Sequence, residues 1–113
     1  FEPNTVWADI AAKNLERISS RFTLTRGTFE DEAGVLDENR AQIDIAFIDA
    51  IHTSAFVLPQ MELVLQHAAP GALLVFDDIH FSDDMASCWR RTAEDPRFCA
   101  AFELHHVGVV ELR

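Results

Sequence analysis

Five side chains in two short segments have the types and spacing to do chemistry together. Asp49 follows the apolar run Ile43–Ile48, and Asp77 and Asp78 follow the apolar run Ala72–Phe76. His52 lies three residues past Asp49, and His80 two past Asp78. Carboxylates held together repel one another unless something neutralises them. Three of them with no lysine nearby suggest a divalent cation. Oxygen-only donors favour magnesium, calcium or manganese over zinc. An imidazole titrates near neutral pH and can serve as a general base. The competing reading is plain. A single Asp after a strand is more often a helix cap than a ligand, and a His in such a loop often packs locally. Two strand ends, one of them doubled, are harder to assign to capping alone. Asp83 and Asp84 read as caps on the helix that follows them.

These residues need elements to position them. Asn4 or Thr5 can cap a helix over about 5–19, with Val6, Trp7, Ile10, Ala11, Leu15 and Ile18 at helical spacing. Residues 22–26 read as a strand stopped by Gly27. The stretch from Thr28 to Arg40 is polar and acidic, with one helical turn at Glu32–Leu36. Residues 43–48 read as a strand covered on both faces. A helix over about 54–68 follows, with Phe56, Val57, Met61, Val64 and Leu65 as its buried stripe and Pro59 near its first turn. Pro70-Gly71 reads as a turn and 72–76 as a further buried strand. A helix over about 83–94 stops before Pro96. Two short strand-like pieces lie within Phe102–Leu112. His105 and His106, adjacent in that stretch, read as structural residues on opposite faces. Trp7, Trp89 and most of the nine Phe read as core.

Strands alternating with helices of 10–15 residues imply βαβ units and a mainly parallel sheet. Ligands of such sheets bind beyond the carboxyl ends of the strands. Acidic residues fall at every one of those ends. Glu2 would end a strand whose body lies upstream, and Glu30 follows the strand-end Gly27. Phe29, beside it, offers a flat apolar surface for a ring.

Composition narrows the classes. The 113 residues are 49% hydrophobic and 25% charged, which suits one domain burying roughly two-thirds of its unfolded surface. Nineteen acidic against nine basic residues leave a formal net charge of −10. That field opposes binding to nucleic acid or to an anionic membrane. No apolar run reaches the ~20 residues needed to span a bilayer. Cys88 and Cys99 make neither a disulfide framework nor a zinc motif, so a cytoplasmic setting is expected.

The segments Phe1-Glu2-Pro3-Asn4, Ile43 to His52, and Pro70 to His80 together resemble the class I S-adenosylmethionine-dependent methyltransferases. The likeness is to their metal-dependent small-molecule O-methyltransferase branch. It implies a Rossmann-like three-layer α/β sandwich of sheet order 3-2-1-4-5-7-6, mainly parallel with an antiparallel C-terminal strand pair. Residues 1–113 would form a single partial domain, lacking the family's first strand and glycine-rich loop. The resemblance also implies site roles. Glu2 would hold the ribose hydroxyls of S-adenosylmethionine. Gly27, Thr28, Phe29 and Glu30 would flank the adenine, and Asp49 would border the cofactor. Asp49, Asp77 and Asp78 would bind magnesium, and His52 would take the proton of a small-molecule hydroxyl. The strand pair in Phe102–Leu112 offers an edge for a homodimer. Three other readings compete. One is a methyltransferase that uses no metal. Another is a non-catalytic domain that keeps the fold. The weakest is a phosphate-handling enzyme, which would want a phosphate loop or a lysine at the strand ends; the only lysine is Lys13.

Overall fold

The computed structural model describes residues 1–38, 42–49 and 51–113. Asn39 and Arg40, at the end of the polar stretch, lie outside the described residues, as do Ala41 and Ala50. The elements are α1 (Thr5–Glu16), α2 (Phe29–Glu32), α3 (Gly34–Glu38), β1 (Ile43–Ile48), α4 (Ser54–His67), β2 (Ala68–Phe76), α5 (Asp83–Ala93), β3 (Phe98–Leu104) and β4 (Val107–Leu112).

The four described strands form one sheet of order β1-β2-β4-β3. That is the 4-5-7-6 half of the order the resemblance implies. The pairing β1–β2 is parallel, while β2–β4 and β3–β4 are antiparallel. The expected α/β class and the antiparallel C-terminal pair are both present. The mainly parallel character is not carried by the described strands, whose antiparallel pairings outnumber the parallel one.

Side chains alternate across the sheet, and the two faces differ. Ile48, Leu74, Phe76 and Val110 point to one face. There they pack with Val57, Met61 and Val64 of α4 and with Met85, Cys88 and Trp89 of α5. Leu74 and Val110 are fully buried, each stabilising the fold by about 1.5–3 kcal/mol relative to exposure. The opposite face carries Ile45, Phe47, Phe102 and Leu104, all exposed. Both long helices after β1 thus cover the same side.

Several expectations change. Residues 22–26 do not form a strand. Among the described residues only Glu2 pairs with the backbone here, through Glu2 N–H to Thr25 O (3.0 Å) and Gly27 N–H to Glu2 O (3.3 Å). A strand needs a ladder of partners, and one residue does not supply it. The α1 stripe is also not buried: Val6, Trp7 and Ile10 are exposed and only Ala8 is enclosed. Burial requires an opposing apolar layer, and no described element covers that side. Phe1, Phe47, Phe56, Phe81 and Phe102 are likewise exposed, whereas Phe76, Phe98 and Trp89 are core.

Pro70-Gly71 lies inside β2 as an irregularity, not as a turn before it. The register jumps from Ile43↔Ala68 to Ile45↔Leu73, and Pro70, lacking an N–H, cannot donate to the ladder. The hairpin β3–β4 starts at Phe98, earlier than expected. His105 and His106 form its turn, not a strand. His105 has φ +57°, and the two rings lie 4.0 Å apart. At Gly108 a side chain would run into the Trp89 ring, so the missing side chain is what lets β4 and α5 approach there. Among the described residues no helix is long and apolar enough to cross a membrane.

Candidate functional site

The parallel register pairs Ile48 with Phe76, so the residues that follow leave the sheet side by side. Asp77 N–H extends the ladder to Ile48 O at 3.1 Å. Asp49, Asp77 and Asp78 therefore share one sheet edge, as their positions in sequence predict. The next turn is tied down. Ile79, almost fully buried, donates its N–H to His106 O at 2.9 Å, and Phe81 N–H reaches Asp78 O at 2.9 Å. Between these anchors Asp78 takes φ +49°, a left-handed conformation that Asp tolerates better than most residues.

His52 stands between two of the acids. Its Nε2 lies 3.9 Å from Asp49 Oδ1 and 3.6 Å from Asp78 Oδ2. These are ion-pair distances, longer than a hydrogen bond. The ring nitrogen is thus near both carboxylates without being bonded to either. The ring of Phe81 tilts against His52 at 5.2 Å.

His80 does not join this group. Its Nε2 is 2.8 Å from Glu103 Oε1, and Trp89 Nε1–H donates to Glu103 Oε2 at 2.8 Å. The bond to His80, then that to Trp89, holds the Glu103 carboxyl below its usual range. Glu103 thereby ties the 77–81 loop to β3 and α5. Glu103 carries no signal of this role in sequence, because only the hairpin register brings it under the loop.

On the other side of Asp49 is a cavity of about 670 Å³, within the range of small-molecule sites. Glu2, Thr28, Phe29, Glu30 and Asp49 line it. Five of the six predicted cofactor residues are thus gathered from three separate segments. Phe1 packs edge-on against Phe29 with ring centroids 4.8 Å apart, giving a firm aromatic wall. Glu2 Oε1 accepts from Asn4 N–H at 2.7 Å. Thr28 caps α2, accepting from Asp31 N–H at 3.2 Å and donating to Asp31 Oδ2 at 2.8 Å. The sixth residue, Gly27, is not part of the lining. It has φ +155°, and a Cβ there would meet Glu32 Cγ at 2.5 Å. Its role is to let the chain turn into α2.

The cavity also takes Ile51, Phe56 and Gln60 from the next loop and α4. Phe56 was expected in the core stripe of α4, but it is exposed on the cavity side. The signal in sequence was its place in the first turn of the helix after the strand-end Asp, which periodicity alone could not separate from core. Gln60 Nε2 donates to Glu30 Oε1 at 2.7 Å.

The expected metal centre is not assembled. Among the described residues no three His, Cys, Asp or Glu side chains stand close enough to hold an ion. Asp49, Asp77 and Asp78 have suitable oxygen donors, but as placed they do not converge. Asp84 is also not a cap of α5. Ser82 Oγ fills that place, accepting from Met85 N–H. Asp84 instead accepts from the N–H and Oγ of Ser54, both at 2.7 Å, and so caps α4. Thr53, at the N-cap of α4, makes no side-chain capping bond.

Comparison with known proteins bears on this arrangement. No curated protein matches the chain. Among solved structures it is similar to a candidate O-methyltransferase from Klebsiella pneumoniae, with TM-score 0.79 and 19% identity over 99% of this chain and 60% of that one. It is similar to an O-methyltransferase from Bacillus cereus solved with SAH, with TM-score 0.71 and 21% identity over 97% and 60%. It also resembles MycE methyltransferase of the mycinamycin biosynthetic pathway, solved with Mg and SAH, with TM-score 0.61 and 17% identity over 87% and 35%. At these identities the likeness establishes a shared Rossmann-like methyltransferase fold. The chain spans 60% of the length of the first two structures. Residues 1–79 match the family profile of the methyltransferase domain, which is more than half of the sequence, and the chain belongs to that family.

Proposed function

We propose that the protein transfers a methyl group from S-adenosylmethionine to a hydroxyl of a small molecule. One observation carries this reading. A cavity lined by Glu2, Thr28, Phe29, Glu30 and Asp49 adjoins, across Asp49, an imidazole flanked by two carboxylates. The lining suits a cationic nucleoside. Phe29, braced by Phe1, offers an aromatic face for a purine. Glu2 offers a carboxylate able to accept two hydroxyl hydrogen bonds. The methyltransferases among the structural neighbours, two of them solved with SAH, support the same class.

When bound, the sulfonium supplies an electrophilic methyl group. The remaining steps belong to the chain's own residues. Glu2 and Glu30 hold the two ends of the nucleoside. His52 Nε2 takes the proton of the acceptor hydroxyl, and Asp49 and Asp78 stabilise the imidazolium that results. Phe81, exposed beside His52, shields one side of the acceptor from water. Holding both reactants in line supplies much of the rate.

Magnesium is the finer part of the reading. Asp49, Asp77 and Asp78 would be its ligands, and the MycE structure contains Mg. In the metal-independent alternative, proton transfer rests on His52 alone.

Calorimetry with S-adenosylhomocysteine and a methyl-transfer assay on the full-length protein test the proposal. The assay uses a panel of phenols and sugars, with and without EDTA. Micromolar binding and methylation of at least one acceptor are expected. Absence of binding would favour a non-catalytic domain. Activity abolished by EDTA and restored by magnesium would assign the carboxylates to a metal.

A further inference from the structure

Gln60 is not among the residues expected at the site, yet it sits at the cavity's nucleoside end. It comes from α4, while Glu30 comes from α2, and both line the cavity. Gln60 Nε2 donates to Glu30 Oε1 at 2.7 Å. Glu30 is exposed and Gln60 half-buried. Without that bond the Glu30 side chain would be free to rotate in water. With it, one carboxylate oxygen is occupied and the other, Oε2, has no partner among the described residues.

A carboxylate only accepts hydrogen bonds. An oxygen held at the rim of an aromatic-walled cavity therefore selects a base edge that donates. Adenine presents an exocyclic amine there. A 6-oxo purine presents a carbonyl oxygen, which a carboxylate repels. We propose that Gln60 is a positioning residue that fixes the Glu30 carboxylate as an acceptor for an exocyclic amine, and so makes the site select adenine over 6-oxo purines. This rests on the S-adenosylmethionine reading above. Fixing a flexible side chain before binding removes an ordering cost worth about three- to tenfold in affinity.

The test is calorimetric titration of the full-length protein with S-adenosylhomocysteine and with S-inosylhomocysteine. The wild type is expected to prefer the adenosyl compound by about tenfold or more, the scale of one hydrogen bond to a charged group. Gln60→Met keeps the side-chain length and removes the donor. It is expected to lower that preference by about three- to tenfold, with the inosyl affinity and the melting temperature unchanged. Glu30→Gln, at an exposed position, is expected to lower the preference at least as far. A preference unchanged in Gln60→Met overturns the role of Gln60, even where both compounds bind. Failure of the wild type to bind either compound overturns the cofactor reading itself, and this proposal with it. Loss of affinity for both compounds by the same factor in Gln60→Met marks a structural role and overturns the proposal.

Discussion

Asp84, in the first turn of α5, receives both the N–H and the hydroxyl of Ser54 at 2.7 Å. One helix thus supplies the N-terminal cap of another. Ser54 is two residues from His52, so this contact also fixes the loop that carries the candidate base. Asp84→Ala is expected to lower the melting temperature, while Asp83→Ala next to it has little effect. Thermal unfolding by circular dichroism distinguishes the two. Equal effects would show that the charge of the first turn, not the cap, is what matters.

Acid should weaken the fold through the same contact and three others. The Ser54 bonds, that from the backbone N–H first, hold the Asp84 carboxyl below its ordinary value. Hydrogen bonds from Arg97 do this for Glu62 and Asp95, and those of His80 and Trp89 do so for Glu103. A carboxyl depressed in the folded state contributes stability that is complete above its unfolded pKa, near 4. That stability is lost as the pH falls through the folded value. Melting temperature measured from pH 7 downward is therefore expected to hold until about pH 5 and then fall. Arg97→Gln should reduce the part due to Glu62 and Asp95.

The covered sheet face should be far more sensitive than the open one. Leu74→Ala is expected to cost about 2–5 kcal/mol, the usual range for a truncated core leucine. Gly108→Ala should also destabilise, because the added methyl meets the Trp89 ring. Phe102→Ala, on the exposed face, should cost much less. Denaturant midpoints of the three variants make the comparison.

The two halves of the site should separate kinetically. Glu2→Gln is expected to weaken S-adenosylhomocysteine binding about tenfold, the scale of a lost charged hydrogen bond. His52→Ala should leave that binding unchanged and lower turnover by about 10²–10⁴-fold, the usual contribution of a general base. Calorimetry and initial rates on the full-length protein read the two effects. Unchanged turnover in His52→Ala would remove the base from the mechanism.

Much of this was legible in the residues. The apolar runs 43–48 and 72–76 are hydrophobic enough to be read as strands covered on both faces; both are strands, but Ile45 and Phe47 of the first lie on the exposed face, where no described element covers them. The helices near 54–68 and 83–94 carry their capping and breaking signals locally, and both form within a residue or so of those limits. Once the strands are placed, Asp49 and Asp77 must share an edge, because parallel pairing puts consecutive strand ends together. What depended on partners was not legible. The segment 22–26 has strand-forming residues, but among the described residues its backbone pairs only with Glu2, and the stripe of α1 meets no opposing layer, so neither packs as its pattern suggests. Asp84 reads as a cap of the helix it lies in; that it caps α4 instead is settled by how α4 and α5 pack.

The acidic ends of β1 and β2 were set by sequence, because strand period and parallel pairing place Asp49 and Asp77 together without reference to distant contacts. The tertiary structure decided the rest. It put His52 between Asp49 and Asp78, linked Gln60 to Glu30 and bound His80 to Glu103. The contacts of His52 with Asp78, Gln60 with Glu30 and His80 with Glu103 join residues more than twenty positions apart, and only the sheet register and the seating of α4 and α5 bring such pairs within a few ångströms.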